Sequence, residues 1–419
     1  MTSPNVRRRV LAAAAAVAVM LGIAAYDPAG AGPERVGVRW VGSWAVAVTA
    51  PSPGGLSARG VDDATLRQVV HLSIGGDAVR IRLSNAFGAR PLRIGAVTLA
   101  PPDGGPLGTP KIDAERAVPV TFSGRTAVTI APGAERLSDA VGLPMLPDSD
   151  LVVSIYFPTA TGPLTQHALG SATGFVAAGD ATRSPGGVYR RYGTARLVMS
   201  AIDVQRDVQS DVGSVAFFGD SITDGFGSTL DANGRYPDVL TDRMLALPED
   251  DHFGVLNVGI SGNRLLSHRY AAGMSGLSRF DRDLLARSGV HTVVLLEGVN
   301  DINGAGGSLR PRDLVRGYLA FIARAHESGI RVVGATITPY EGWSAFSRAT
   351  EADRRAVNRW IRRSGAFDAV VDLDAAVRDP SRPTRLLPRF DSGDHLHPSD
   401  AGYAAMAAAF DLADLQPTP

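Results

Sequence analysis

Val215-Ala216-Phe217-Phe218-Gly219-Asp220-Ser221-Ile222-Thr223-Asp224-Gly225 decides how the second half of this 419-residue chain is read. Four apolar residues in a row, closed by glycine and aspartate, fit a strand buried on both faces. Such strands belong to parallel sheets, whose faces are covered by crossover helices. A serine just past the strand, beside glycine, can sit on a tight turn with its hydroxyl exposed. Gly-Asp-Ser alone is also ordinary turn composition, so the rest of the chain has to decide.

Working outward, similar apolar runs recur at Val255–Val258, Thr292–Leu296, Val332–Ile337 and Ala369–Leu373. Helical patterns lie between them. Leu277–Arg287 runs up to Gly289, Pro311–Ser328 to Gly329 and Glu351–Ser364 to Gly365, with each glycine placed for a left-handed helix end. A last helical run spans Asp400–Leu412. Alternating strand and helix predicts a parallel sheet in an α/β layer fold over residues 214–415, with its ligand crevice at the carboxyl ends of the strands.

Upstream the period changes to two. Leu66, Gln68, Val70, Leu72 and Ile74 share one face of a run, and Gly75-Gly76-Asp77 turns the chain. Val79, Ile81 and Leu83 then alternate with Arg80, Arg82 and Ser84. Short runs follow at Leu92–Leu99, Val118–Phe122, Thr126–Ile130 and Leu151–Phe157. This predicts an N-terminal antiparallel β-sandwich over 38–203, joined by a polar linker over 204–213.

Arg7-Arg8-Arg9 followed by apolar Val10–Ala25 and the small residues Ala29-Gly30-Ala31 reads as a signal peptide over 1–31. Its arginine pair hints at twin-arginine export, and an uncleaved N-terminal anchor is the competing reading. The apolar run is shorter than the about 20 residues of a membrane span, so no stable span is expected after cleavage and the protein is expected to be secreted. The 42 basic and 42 acidic residues cancel, which gives no electrostatic footprint for nucleic acid. With no cysteine in the chain, disulfides, thiolate metal sites and cysteine nucleophiles are excluded.

Polar residues at the predicted strand ends are the candidates for chemistry. Ser221 follows the first strand, and Ile260-Ser261-Gly262-Asn263 follows the second, where glycine lets a backbone N–H approach a ligand. Glu297-Gly298-Val299-Asn300-Asp301 follows the third, and the Asn300 amide can donate to a developing oxyanion. In Asp391-Ser392-Gly393-Asp394-His395-Leu396-His397, a spacing of three can bring the Asp394 carboxylate to the His397 ring. Asp394, His395 and His397 could alternatively ligate a metal, but no further clustered histidine completes a set. His71, His167, His252, His268, His291 and His326 are scattered and read as structural or surface residues.

Taken in order, these segments resemble the four blocks of the SGNH, or GDSL, hydrolases. Gly219-Asp220-Ser221 resembles the first, Gly262 within Asn257–Asn263 the second, Gly298-Val299-Asn300-Asp301 the third and Asp394-His395-Leu396-His397 the last. The resemblance implies a flavodoxin-like α/β domain, Ser221 as nucleophile, His397 as base, Asp394 as its orienter, and an oxyanion hole from Ser221 N–H, Gly262 N–H and the Asn300 amide, with no cofactor and no metal. No Gly-x-Ser-x-Gly elbow is present, against an α/β-hydrolase fold. The N-terminal half, through Trp40–Trp44, Leu66–Ile74 and Arg80–Phe87, resembles the β-sandwich of secreted bacterial arylesterase-like members. The expectation is an esterase acting on short acyl esters, acetyl above all, as small molecules or on polysaccharide. A lipase, lysophospholipase or transacylase using the same residues is the alternative. Trp343 could stack on a sugar at the crevice rim, or be a packing aromatic.

Overall fold

A computed structural model describes residues 38–105, 108–207, 212–304 and 309–417. The signal peptide expected over 1–31 lies outside the described residues. Among those residues, no helix is long and apolar enough to cross a membrane.

The N-terminal part is built on two large antiparallel sheets, with two two-stranded pairs beside them. One orders Val38–Ala45, Met199–Asp207, Val79–Ser84 and Glu135–Leu137. The other orders Arg190–Gly193, Gly174–Ala178, Ala64–Leu72, Ser149–Phe157, Ala96–Ala100 and Val118–Pro119. Alternation along the strands sends Leu66, Val70, Ile81, Val153 and Ile202 into one shared apolar cluster. Gln68 sits on the same buried face because its side-chain amide exchanges two hydrogen bonds with the backbone of Leu197.

Two expectations need correcting here. The run Leu92–Leu99 is broken at Gly95 into Leu92–Ile94, which pairs with Val128–Ile130, and Ala96–Ala100, which joins the six-stranded sheet. A Cβ at residue 95 would stand 2.8 Å from the Tyr156 ring, so the switch between sheets needs glycine. The expected linker is also shorter at its start. The strand Met199–Asp207 continues four residues past Asp203, because Val204–Asp207 pair with Val38–Val41.

The C-terminal part has one parallel sheet in the order Gly254–Asn257, Ser214–Gly219, Val290–Leu296, Arg331–Ala335 and Ala369–Val371. The first strand in sequence therefore lies between the second and third, and the strand order reverses beside it. This is the topological switch point of a flavodoxin-like sheet, with Ser221 just past it. Pro311–Glu327 and Arg348–Arg363 are continuous helices, and Gly329 and Gly365 both adopt left-handed φ. The helix expected over Leu277–Arg287 is α-helical only over Gly276–Phe280 and widens to a π-helical turn at Asp281–Leu285. The helix expected over Asp400–Leu412 ends at Ala408.

The two parts meet closely. The Ser214 hydroxyl and the Gly42 amide tie the sandwich's first strand to the parallel sheet through Gly42 O and Ser288 O. A Cβ at Gly254 would overlap Gly42 O at 1.8 Å, so this approach depends on a bare backbone. Ala45, Ala47 and Ala201 of the sandwich share an apolar cluster with Ala216, Phe218 and Leu256 of the parallel sheet.

Candidate active site

Asp220 caps a one-turn helix, Ser221–Asp224, by accepting the Ile222 amide at 3.0 Å on Oδ1. Gly225, at φ 97°, closes that turn by donating to Ser221 O. This local structure fixes Ser221 at the carboxyl end of the central strand. His397 arrives from the loop before the helix Asp400–Ala408, which Ser399 caps. Its Nε2 lies 2.8 Å from Ser221 Oγ and its Nδ1 2.5 Å from Asp394 Oδ2. Asp394 Oδ1 accepts the amides of Leu396 and His397 at 2.9 and 2.8 Å. Burial works against the Asp394 charge, but the His397 ring and the two amides prevail and hold its carboxyl below the usual range. A hydroxyl on an imidazole that is itself held by a carboxylate is an arrangement able to activate a nucleophile.

The segment after the second strand is fastened to the Ser221 turn. Asn257 Nδ2 donates to Thr223 O, Ile260 N to Gly219 O, and both the amide and hydroxyl of Ser261 donate to Asp224 Oδ2. Gly262 follows at φ 76°, a left-handed conformation that favours glycine. Asn300 is the second residue of the helix Val299–Gly304, and its Nδ2 lies 3.3 Å from Asp220 Oδ2. Its neighbour Asp301 accepts the amides of Leu265 and Leu266, linking the third segment to the second.

Thus Ser221, His397 and Asp394 form one hydrogen-bonded line, and Asn300 reaches the residue preceding Ser221. His395 goes elsewhere: its Nδ1 pairs with Asp391 at 2.6 Å, with the backbone at φ 67°. Among the described residues no group of three His, Cys, Asp or Glu side chains is arranged to hold a metal ion. Trp343 is half-buried, edge-on to the buried Tyr340 and packed on the core, which favours the packing reading.

Beneath the site lies a charged floor that sequence reasoning missed. Arg279 is fully buried and donates to Gly219 O, Val258 O, Asn263 Oδ1 and Asp283, with Glu297 at 3.5 Å and the Phe218 ring 3.5 Å from its Cζ. It therefore joins the ends of the first two strands to the third. Burial, reinforced by Asp301 and Asp224 against the Ile222 amide, pushes Asp220 up to about 7. Burial and Asp220 likewise raise the Glu297 carboxyl well above its ordinary value. An arginine within a helical stretch reads as solvent-facing, so no sequence signal marks Arg279. Phe226 is also new to the site: its half-exposed ring lies 4.3 Å from the His397 ring.

A flavodoxin-like sheet whose switch point carries this serine–histidine–aspartate line has the architecture of a three-layer α/β domain with a hydrolase-like site. Residues 217–405 match the GDSL-like Lipase/Acylhydrolase family. The chain is similar to a variant acetyl xylan esterase from Geobacillus stearothermophilus, at 22% identity over 49% of this chain and 96% of that one, with TM-score 0.36. It is also similar to a GDSL-like lipase from Bacteroides thetaiotaomicron, at 20% identity over 47% and 84%, with TM-score 0.34. Among curated proteins none matches the chain.

Proposed function

We propose that this protein is an exported serine esterase working by two-step acyl transfer to water, with Ser221 as nucleophile. The observation that carries the proposal is the line from Ser221 Oγ through His397 to Asp394, at 2.8 and 2.5 Å. His397 Nε2 takes the Ser221 proton as Oγ adds to the ester carbonyl. Asp394 accepts from Nδ1, fixes the tautomer and steadies the imidazolium. The oxyanion forms against Ser221 N–H, Gly262 N–H and Asn300 Nδ2, which gives up its long contact with Asp220 to reach it. His397 then protonates the leaving alcohol, and the acyl-serine is cleaved by a water that gives its proton to His397.

The substrate class we infer is a short acyl ester, acetyl foremost, on carbohydrate. The leader-like N-terminus points to a substrate outside the cell. No long apolar segment follows it to build a lid or acyl groove. Half-exposed Phe226 beside His397 offers an apolar contact for an acyl group or a sugar face. The test is a series of aryl esters from acetate to palmitate beside acetylated xylan, with and without an added alcohol acceptor. Fastest turnover at acetate, with acetate released from xylan, is expected. A maximum at long chains with no release from xylan refutes the substrate reading, and acyl transfer to the alcohol in preference to water would indicate a transacylase.

A further inference from the structure

His167 belongs to the N-terminal sandwich, in the short strand Gln166–His167 that pairs with Arg196–Leu197, yet its ring lies against the Ser221 turn. Ring and partner are almost wholly buried, at 2% exposure for His167 and 2% for Asp224. Nδ1 lies 2.9 Å from Ala47 O, and Nε2 lies 2.9 Å from both Leu169 O and Asp224 Oδ1. Both nitrogens thus face only acceptors. A neutral imidazole would set a lone pair against an oxygen, whereas the imidazolium offers an N–H on each side. Burial opposes that charge, but Asp224 and the two carbonyls outweigh it and raise the His167 pKa above its ordinary value.

Asp224 is the hinge of the arrangement. Its Oδ1 is buried with no hydrogen-bond donor among the described residues, and the His167 ring is ion-paired with it at 2.9 Å. Its Oδ2 holds both the amide and the hydroxyl of Ser261, the residue before Gly262. Asp220, Asp301 and Glu297 crowd the same floor, and a further buried anion there is tolerable only with a cation against it. We propose that His167 is a positioning residue of the esterase site. Its ring, contributed by the sandwich, holds Asp224 in place, and Asp224 in turn holds Ser261 so that the Gly262 N–H stays aimed at the oxyanion. The sandwich thereby supplies part of the catalytic apparatus in addition to any role in holding substrate. This rests on the reading of Gly262 as an oxyanion donor.

The test uses the full chain with His167→Gln, and with Ser261→Ala in case the buried change prevents folding. Active sites are counted by labelling to completion with an organophosphonate, so that misfolded protein drops out. Turnover of an aryl acetate and affinity for a trifluoromethyl ketone, which mimics the tetrahedral adduct, are then measured per labelled site. Misaiming one donor should lower kcat about 10- to 100-fold in His167→Gln and less in Ser261→Ala, with KM little changed and ketone affinity falling in step. A merely structural histidine would lower the labelled fraction without moving these per-site values. Per-site kcat and ketone affinity within twofold of wild type in the folded variants would overturn the proposal. Failure of the parent reading is separate: Ser221 would escape labelling, or Ser221→Ala would stay active.

Discussion

Replacing Asn300 with alanine separates catalysis from stability at this site. In the resting structure Nδ2 makes one long contact, 3.3 Å to Asp220 Oδ2. At 3.3 Å such a bond is weak, and losing it costs about 1 kcal/mol, the low end for a buried acceptor. Alanine returns about 0.6 kcal/mol of helix propensity within Val299–Gly304. The net change in stability should stay under about 1 kcal/mol. In the transition state the same N–H meets a full negative charge, and removing one such donor costs about 2.7–4 kcal/mol, or about 100- to 1,000-fold in kcat. The assay is steady-state hydrolysis of an aryl acetate, with the thermal midpoint measured on the same preparation. The expected result is a kcat loss of at least about 100-fold, KM within threefold and a nearly unchanged midpoint. If kcat holds and KM alone rises, Asn300 binds substrate and the oxyanion assignment fails.

Three further outcomes follow from the same geometry. Ser221→Ala should remove turnover by several orders of magnitude and leave the melting profile unchanged, since the hydroxyl's bond is to His397; residual activity near wild type would sink the nucleophile assignment. Arg279→Leu should destabilise the protein by about 3–5 kcal/mol, because it removes three buried hydrogen bonds, to Gly219 O, Val258 O and Asn263 Oδ1, from the floor that joins the strand ends; a chemical denaturation midpoint equal to wild type would contradict this. Asp220 should make stability fall with pH: raised to about 7, it binds its proton more tightly folded than unfolded, so its contribution is lost as pH rises from 3.8 through 7, while partly buried His291, lowered to about 4, works the other way only below 6.5. The raised His167 acts in the same sense as Asp220, its contribution being full below 6.5 and lost as pH rises through its folded value. Asp220→Asn, which keeps the Oδ1 acceptor for Ile222, should flatten this slope, and equal slopes in variant and wild type would refute the assignment.

How much the sequence determined follows from which interactions are local. The strand-and-turn at Val215–Gly225 announced itself because a doubly buried strand must be apolar throughout and its turn must use small residues. Asp394 and His397 were legible for a similar reason: three residues of chain suffice to bring carboxylate to ring, and the two amides that fix Asp394 are its own neighbours. The left-handed glycines at 329 and 365 likewise answer to the helices they end. What only the tertiary structure decided is where charges face across chain-distant elements. Nothing local distinguishes Arg279 from a solvated arginine on a helix, because its partners come from three different strand ends. His167 read as a scattered structural residue because Asp224 lies 57 positions away and reaches it only when the sandwich closes on the parallel sheet. Gly95 and the strand continuing to Asp207 belong to the same class, since a break or extension in a strand is set by the neighbour it pairs with, and pairing in a β-sandwich is made between segments far apart in sequence.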